Sequence, residues 1–174
     1  SEAYLAALEE CRTSQDGYRL ALIANAAFSL KRDSTGRQLL KILRTQLEKK
    51  GLGNLPVDHT LVRTYGNAAQ IETAALIMMA EIQSGDASIE ICENIVRYFT
   101  ENRKFGGFGN SQATTQALKA LCRYNYTKSE TNVENSIELN VNGGETHKLN
   151  LLRQSNGRLQ VTGLEEYLSP GKNQ

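Results

Sequence analysis

The sequence predicts a mainly α chain, in which helical hairpins build part of an α/α toroid and a short antiparallel β meander follows. Three observations carry this. Up to about residue 124 apolar residues recur at helical spacing, and the only prolines in the chain are Pro56 and Pro170. Helices apolar on nearly every side alternate with helices that carry one apolar stripe. From about residue 133 the apolar period shortens to two, the spacing of a strand.

Residues 2–10 read as a short first helix. The second, 15–31, is apolar or small at almost every position from Leu20 to Phe28, and a helix apolar all round is buried all round. Asp33 or Ser34 is expected to cap a third, 35–50. There Leu39, Leu40, Leu43 and Leu47 share one stripe opposite Lys and Arg. A loop of Gly, Asn and Pro spans 51–67. The fourth helix, 68–83, is again apolar nearly all round, from Ala74 to Met79, and Ser84-Gly85-Asp86 ends it. The fifth, 87–102, is amphipathic: Ile89, Cys92, Ile95, Val96 and Phe99 face one way, and Glu90, Glu93, Arg97 and Glu101 the other. Phe105-Gly106-Gly107-Phe108-Gly109 is a flexible loop. A sixth helix, 111–124, carries Ala113, Ala117, Leu118, Ala120 and Leu121.

The alternation gives the architecture. The second, fourth and sixth helices need neighbours on every side; the third and fifth need them on one. Hairpins with one inner and one outer member meet both demands, whereas a simple bundle gives each helix a similar stripe. The inner helices also share a weak repeat, in Leu20-Ala21-Leu22-Ile23-Ala24, Thr73-Ala74-Ala75-Leu76-Ile77 and Thr115-Gln116-Ala117-Leu118-Lys119. Five or six helices cannot close a double ring, so they make either an arc of a larger toroid or a smaller bundle. In the tail, Ile137, Leu139 and Val141 alternate with polar residues. Asn142-Gly143-Gly144 and Asn156-Gly157 are hairpin turns, with Leu149 and Leu151, then Leu159 and Val161, on the next two strands. The reading is therefore 1–124 as toroid, 125–132 as a polar linker and 133–174 as the start of a β-domain.

The chain has 174 residues, 40% apolar, with 20 Lys and Arg against 19 Asp and Glu. That supports a real core and excludes a disordered chain. A net charge of +1 gives no long-range pull toward nucleic acid or anionic lipid. The longest apolar run, 74–80, is far short of a membrane span. The chain opens at Ser1 with no visible signal peptide, as a mature or excised piece would. Charge divides between the outer helices: 31–50 is basic and 70–101 acidic, either as solvated faces or as docking surfaces.

No residue pattern assembles a catalytic or metal site. Asp16, Asp33, Asp58 and Asp86 stand apart, so no paired-Asp motif can bind magnesium and pyrophosphate. Glu9-Glu10 and Glu165-Glu166 are adjacent and point to different faces. His59 beside Asp58 is a candidate general base, and His147 lies on a strand. Neither histidine has Cys or Asp at ligand spacing. Cys11, Cys92 and Cys122 form no CxxC pair; they read as buried small apolar groups, or as one disulfide and a spare thiol. Gly106-Gly107-Phe108-Gly109 lacks the Lys and Ser/Thr of a phosphate loop and reads as a tight turn with Phe105 and Phe108 as plugs. Asn125-Tyr126-Thr127 fits a glycosylation sequon.

One stretch resembles a known family. Phe105 to Leu121, with Asn110-Ser111-Gln112-Ala113-Thr114 at its centre, is similar to the last helical hairpin of the thioester domain in alpha-2-macroglobulin and complement proteins, with Ser111 where Thr is usual. Gln70-Ile71-Glu72-Thr73-Ala74-Ala75-Leu76 resembles that domain's preceding inner helix, and Tyr18 to Ala24 the one before. The tail resembles the first strands of the CUB-like domain that follows. The resemblance implies a parent in which a Cys thiol and a Gln side chain close a thioester that acylates a target once a protease cuts elsewhere. Ser14, Ile95 and Asn125 stand three residues after the cysteines, so none can pair with Gln. The reactive Cys-Gly-Glu-Gln and the family's histidine are expected before residue 1. The resemblance thus implies a non-catalytic segment of a macroglobulin-like endopeptidase inhibitor, with no cofactor and no metal. Its partners would be the other domains of the parent and, through the parent, proteases or target surfaces, in an extracellular or bacterial periplasmic setting. Prenyltransferases and terpene cyclases share the toroid, but need zinc ligands or an acidic motif. A free-standing helical binding module is the third reading.

Overall fold

The structure, a computed structural model, describes residues 6, 8–9, 14–104, 106–131, 136–150, 152–153, 159–160, 164–168 and 170–172. Its helices are α1 (Gly17–Ser29), α2 (Asp33–Lys50), α3 (Gly66–Gln83), α4 (Ile89–Asn102) and α5 (Ser111–Thr131). Of the expected helix 2–10 only Ala6, Leu8 and Glu9 are described, all helical. The chain forms two compact units, Ser1–Thr127 and Lys128–Gln174.

In the first unit α1 packs on α2 and α3, and α3 also packs on α2 and α4. Helix α3 is the centre. Every residue from Ile71 to Met78 is buried, as are Ala69, Ala80 and Glu81. Four alanines in that set let neighbouring helices approach closely. Helix α1 buries Leu20, Ala21, Ala24, Ala27 and Phe28, with Leu22 and Ile23 half-buried. The outer helices bury single stripes, Leu39, Leu40 and Leu43 on α2 and Cys92, Ile95 and Phe99 on α4. The expected alternation of inner and outer helices holds for these four.

Local chemistry sets the ends. Asp16 caps α1, its Oδ1 accepting the Arg19 N–H at 2.9 Å. Helix α1 closes with paired bonds from Lys31 N–H to the Phe28 carbonyl and from Arg32 N–H to that of Ala27. That motif places Lys31 at φ 57, a position where glycine is usual. Helix α2 starts at Asp33, and the Arg32 side chain in the N-cap position makes no capping hydrogen bond. The expected cap at Asp33 or Ser34 is therefore replaced by an early start, as the chain re-enters a helix straight from the α1 closure. Gly36 faces the Phe28 ring so closely that a Cβ there would lie 2.6 Å from it.

Two expectations about α5 need correction. The sequence predicts an inner helix, yet its fully buried residues are Ala113, Ala117 and Ala120, one stripe, while Leu118 is 50% exposed. A helix is enclosed only where neighbours exist, and this chain supplies them on one side of α5. The helix also runs on to Thr131, through the segment read as linker. No Gly or Pro occurs from 111 to 131, and once a helix is nucleated each further residue adds a bond.

In the second unit β1 (Ser136–Asn140) pairs antiparallel with β2 (Thr146–Asn150), Leu139 opposite His147. The turn holds Asn142 at φ 55 and Gly143 at φ 69, closed by Gly144 N–H to the Val141 carbonyl, which is a type I′ geometry. β3 (Leu152–Arg153) pairs with β4 (Leu159–Gln160) as a separate two-stranded sheet. The expected meander is thus divided: the second strand pairs with the first over 146–150 and with the last over 152–153. Asn156-Gly157, Leu151 and Val161 lie outside the described residues. A short 3-10 helix, Leu164–Tyr167, places the Tyr167 ring 4.5 Å from His147.

One ionic contact ties the first unit together. The Glu81 carboxylate is fully buried and accepts Arg44 Nε at 2.8 Å and Nη2 at 2.6 Å. It also accepts the Ser88 N–H at 3.0 Å, while Arg44 donates to the Asp86 carbonyl. Arg44 and Glu81 belong to the two oppositely charged stretches expected to be solvated faces or docking surfaces; in the fold they meet. Replacing Arg44 with Met is expected to strand the Glu81 charge and lower unfolding free energy by about 3 kcal/mol, measured by urea denaturation.

Candidate functional site

Of the features that the sequence singles out, Asp16, the Asp58-His59 pair and the glycine loop lie on one rim of the first unit, where α1, α3 and α5 begin. Asp16 holds two loops together: its second oxygen accepts the Asp58 N–H at 2.9 Å, and Gly17 N–H donates to the Pro56 carbonyl at 2.7 Å. The next turn is closed by Thr60 N–H to the Thr64 carbonyl and by Thr64 N–H to Thr60 Oγ1. It holds Arg63 at φ 56 and presents Leu61, Val62 and Tyr65 to solvent. Tyr18 is buried beneath it, and burial, with the nearby charge of Glu72, raises its pKa.

The glycine loop completes the rim. Asn110 caps α5, its Oδ1 accepting the Ala113 N–H at 2.7 Å. Its Nδ2 reaches across to Thr64 Oγ1 at 3.0 Å. Thr114 Oγ1 accepts the Phe108 N–H at 2.9 Å. Phe108 is buried, its ring 5.7 Å from that of Phe99. Gly109 sits at φ 100, a conformation strained for any other residue, and a Cβ there would press on that of Ala68 on α3 at 3.0 Å. The loop is a turn with a plug, as expected for Phe108; Phe105 lies outside the described residues. Within it Gly107 N–H donates to the Lys104 carbonyl and Lys104 N–H to that of Gly107, both at 3.0 Å.

The candidate chemical groups are not brought together. His59 Nδ1 lies 2.9 Å from Asp58 Oδ2, a contact largely in solvent, with the Tyr65 ring 6.1 Å away. Glu166 is exposed on the 3-10 helix and Glu9 is exposed in the first unit. Among the described residues no three His, Cys, Asp or Glu side chains are placed to hold a metal ion. Cys92 is buried beside Glu81, and burial first, then that charge, pushes its thiol up to about 11. Cys122 is exposed on α5, and Cys11 lies outside the described residues. Asn125 of the sequon is exposed on α5.

Residues 1–124 match the A-macroglobulin TED domain. The chain belongs to that family. No solved structure matches it. In this TED segment the α/α arrangement has α1 and α3 as inner helices and α2 and α4 as outer ones. The match ends inside α5, before the strands. Sequence reading missed two residues of this unit, Glu72 and Glu81, which it placed with the solvated acids. The signal was present: each interrupts an apolar run of the helix read as buried on all sides.

Two outcomes follow. Asn110→Ala removes the cap and the Thr64 clasp together and is expected to cost about 1–2 kcal/mol, read by chemical denaturation. With Cys11 replaced by Ser, a disulfide reagent at pH 8 should titrate one thiol, Cys122, in the native protein. Cys92, with only about one part in a thousand as thiolate, should titrate on denaturation.

Proposed function

We propose that this TED segment is the non-catalytic closing arc of a toroid that houses a thioester in a macroglobulin-like endopeptidase inhibitor, and that it docks the neighbouring domains of that parent. The observation that carries the reading is the open side of α5. Leu118, Cys122 and Tyr126 recur at every fourth residue along a shallow groove of about 600 Å³, edged by Lys119 and Arg123. A helix that ends a ring keeps such a side for the helices that begin it. The apolar residues of β1 and β2 support the second half of the proposal: Ile137 is exposed, Leu139 and Leu149 are half-buried, and two-stranded hairpins do not stand alone. They fit the start of a CUB-like domain after the 125–132 segment.

In this reading the segment performs no chemistry. Acylation of proteases or target surfaces belongs to the parent, at a thioester outside this chain, in an extracellular or periplasmic setting. What the segment supplies is enclosure, since a thioester survives only where water is kept away.

The test uses Leu118→Lys in two settings. In this chain the side chain is exposed, and the change is expected to alter stability by less than about 0.5 kcal/mol. In the full-length parent it should loosen the ring and speed thioester consumption by methylamine, with loss of protease trapping. A parent that never reacts with methylamine, or one indifferent to the substitution, overturns the proposal.

A further inference from the structure

The outer wall of the first unit carries a groove that the toroid reading does not use. It runs between α2 and α4 and encloses about 670 Å³. The two helices both pack on α3 but not on each other. Its floor is apolar: Leu47, Leu52, Ile91 and the ring of Tyr98, all half-buried. The walls are fixed. At one end the Arg44–Glu81 pair ties α2 to the start of α4. At the other, Gly53 lies against the Tyr98 ring, whose hydroxyl donates to Asn67 Oδ1 at 3.0 Å.

The charges decide what fits. Glu48 stands exposed on α2, and Glu90 and Glu101 stand exposed at the two ends of α4. None is ion-paired among the described residues. Of the two arginines present, Arg44 is neutralised by Glu81, whereas Arg97, between Glu90 and Glu101 in sequence, keeps its charge while donating to the neutral Asn94 Oδ1 at 2.8 Å, so three carboxylates stand against one arginine. The groove is therefore apolar in the middle and acidic at its edges. Glu90 and Glu101 are eleven positions apart, which on a helix is close to three full turns. They share one face, with roughly 16 Å between them along the axis.

We propose that this groove docks a short basic amphipathic peptide segment of a partner protein: apolar side chains on the floor, with Lys or Arg at each end opposite Glu90 and Glu101. The apolar anchors supply affinity by leaving water, and the end charges fix register and exclude acidic segments. The inference is independent of the thioester reading, since it rests on the outer helices alone.

The test is fluorescence anisotropy at 150 mM salt with this chain and a labelled helical peptide of about three turns, with leucines on one face and lysines at both ends. Two controls match it, one with glutamates for the lysines and one with serines for the leucines. Saturable binding is expected, at least tenfold weaker for each control. Glu90→Gln with Glu101→Gln, and separately Leu52→Ser, should each weaken binding about tenfold; thermal melts confirm that each variant folds. No saturable binding, equal binding of the serine peptide, or indifference to both sets of changes overturns the proposal. So does concentration-dependent self-association that the double Gln variant abolishes, which would make a second copy the occupant.

Discussion

Helix α3 has no wet side, and most of the first unit follows from that constraint. A helix enclosed on every face must be built of apolar and small residues, and Ala69, Ala74, Ala75 and Ala80 let α1, α2 and α4 lie close around it. The two carboxylates it nevertheless carries are the costly points, since a buried charge is tolerated only with partners. Glu81 has them in full. In acquiring them it fixes α2 through Arg44 and the entry to α4 through Ser88. Glu72 is as deeply buried, and its Oε1 has no hydrogen-bond partner among the described residues. A helix that only needed to be hidden has thereby become the part that sets the positions of the others.

The rim where α1, α3 and α5 begin repeats the same economy at two helix caps. Asp16 and Asn110 each cap a helix with one atom and hold a neighbouring loop with another. The glycine loop is part of this scheme. Its positive φ angles and its approach to Ala68 let Phe108 enter the core while Asn110 reaches Thr64. The conspicuous motif of the chain is accordingly a device for joining two hairpins.

The open sides of the molecule divide by character. The exposed side of α5 is mostly apolar, with two basic residues at its edge, as suits a seam within one folded domain. The groove on the outer wall is apolar below and acidic above, as suits a partner that arrives from solution. The distinction lies in which charges are already satisfied. Arg44 has spent its charge inside the fold, whereas Glu48, Glu90 and Glu101 have not.

The sequence by itself determined the helices α1 to α5, their order and, from α1 to α4, the alternation of enclosed with one-faced members, because burial writes its period directly into the apolar pattern. It also determined the hairpin at Asn142-Gly143, where only residues tolerant of positive φ fit the turn. It did not determine where α5 ends. Asn125 to Thr131 has no apolar period, and an exposed helix needs none to propagate. The tertiary structure alone decided that Arg44 and Glu81 meet, that Asn110 holds Thr64, and that α5 is covered on one side. Charges and amides far apart in sequence find partners only through the packing of other residues, and how much of a helix is covered depends on which neighbours are present.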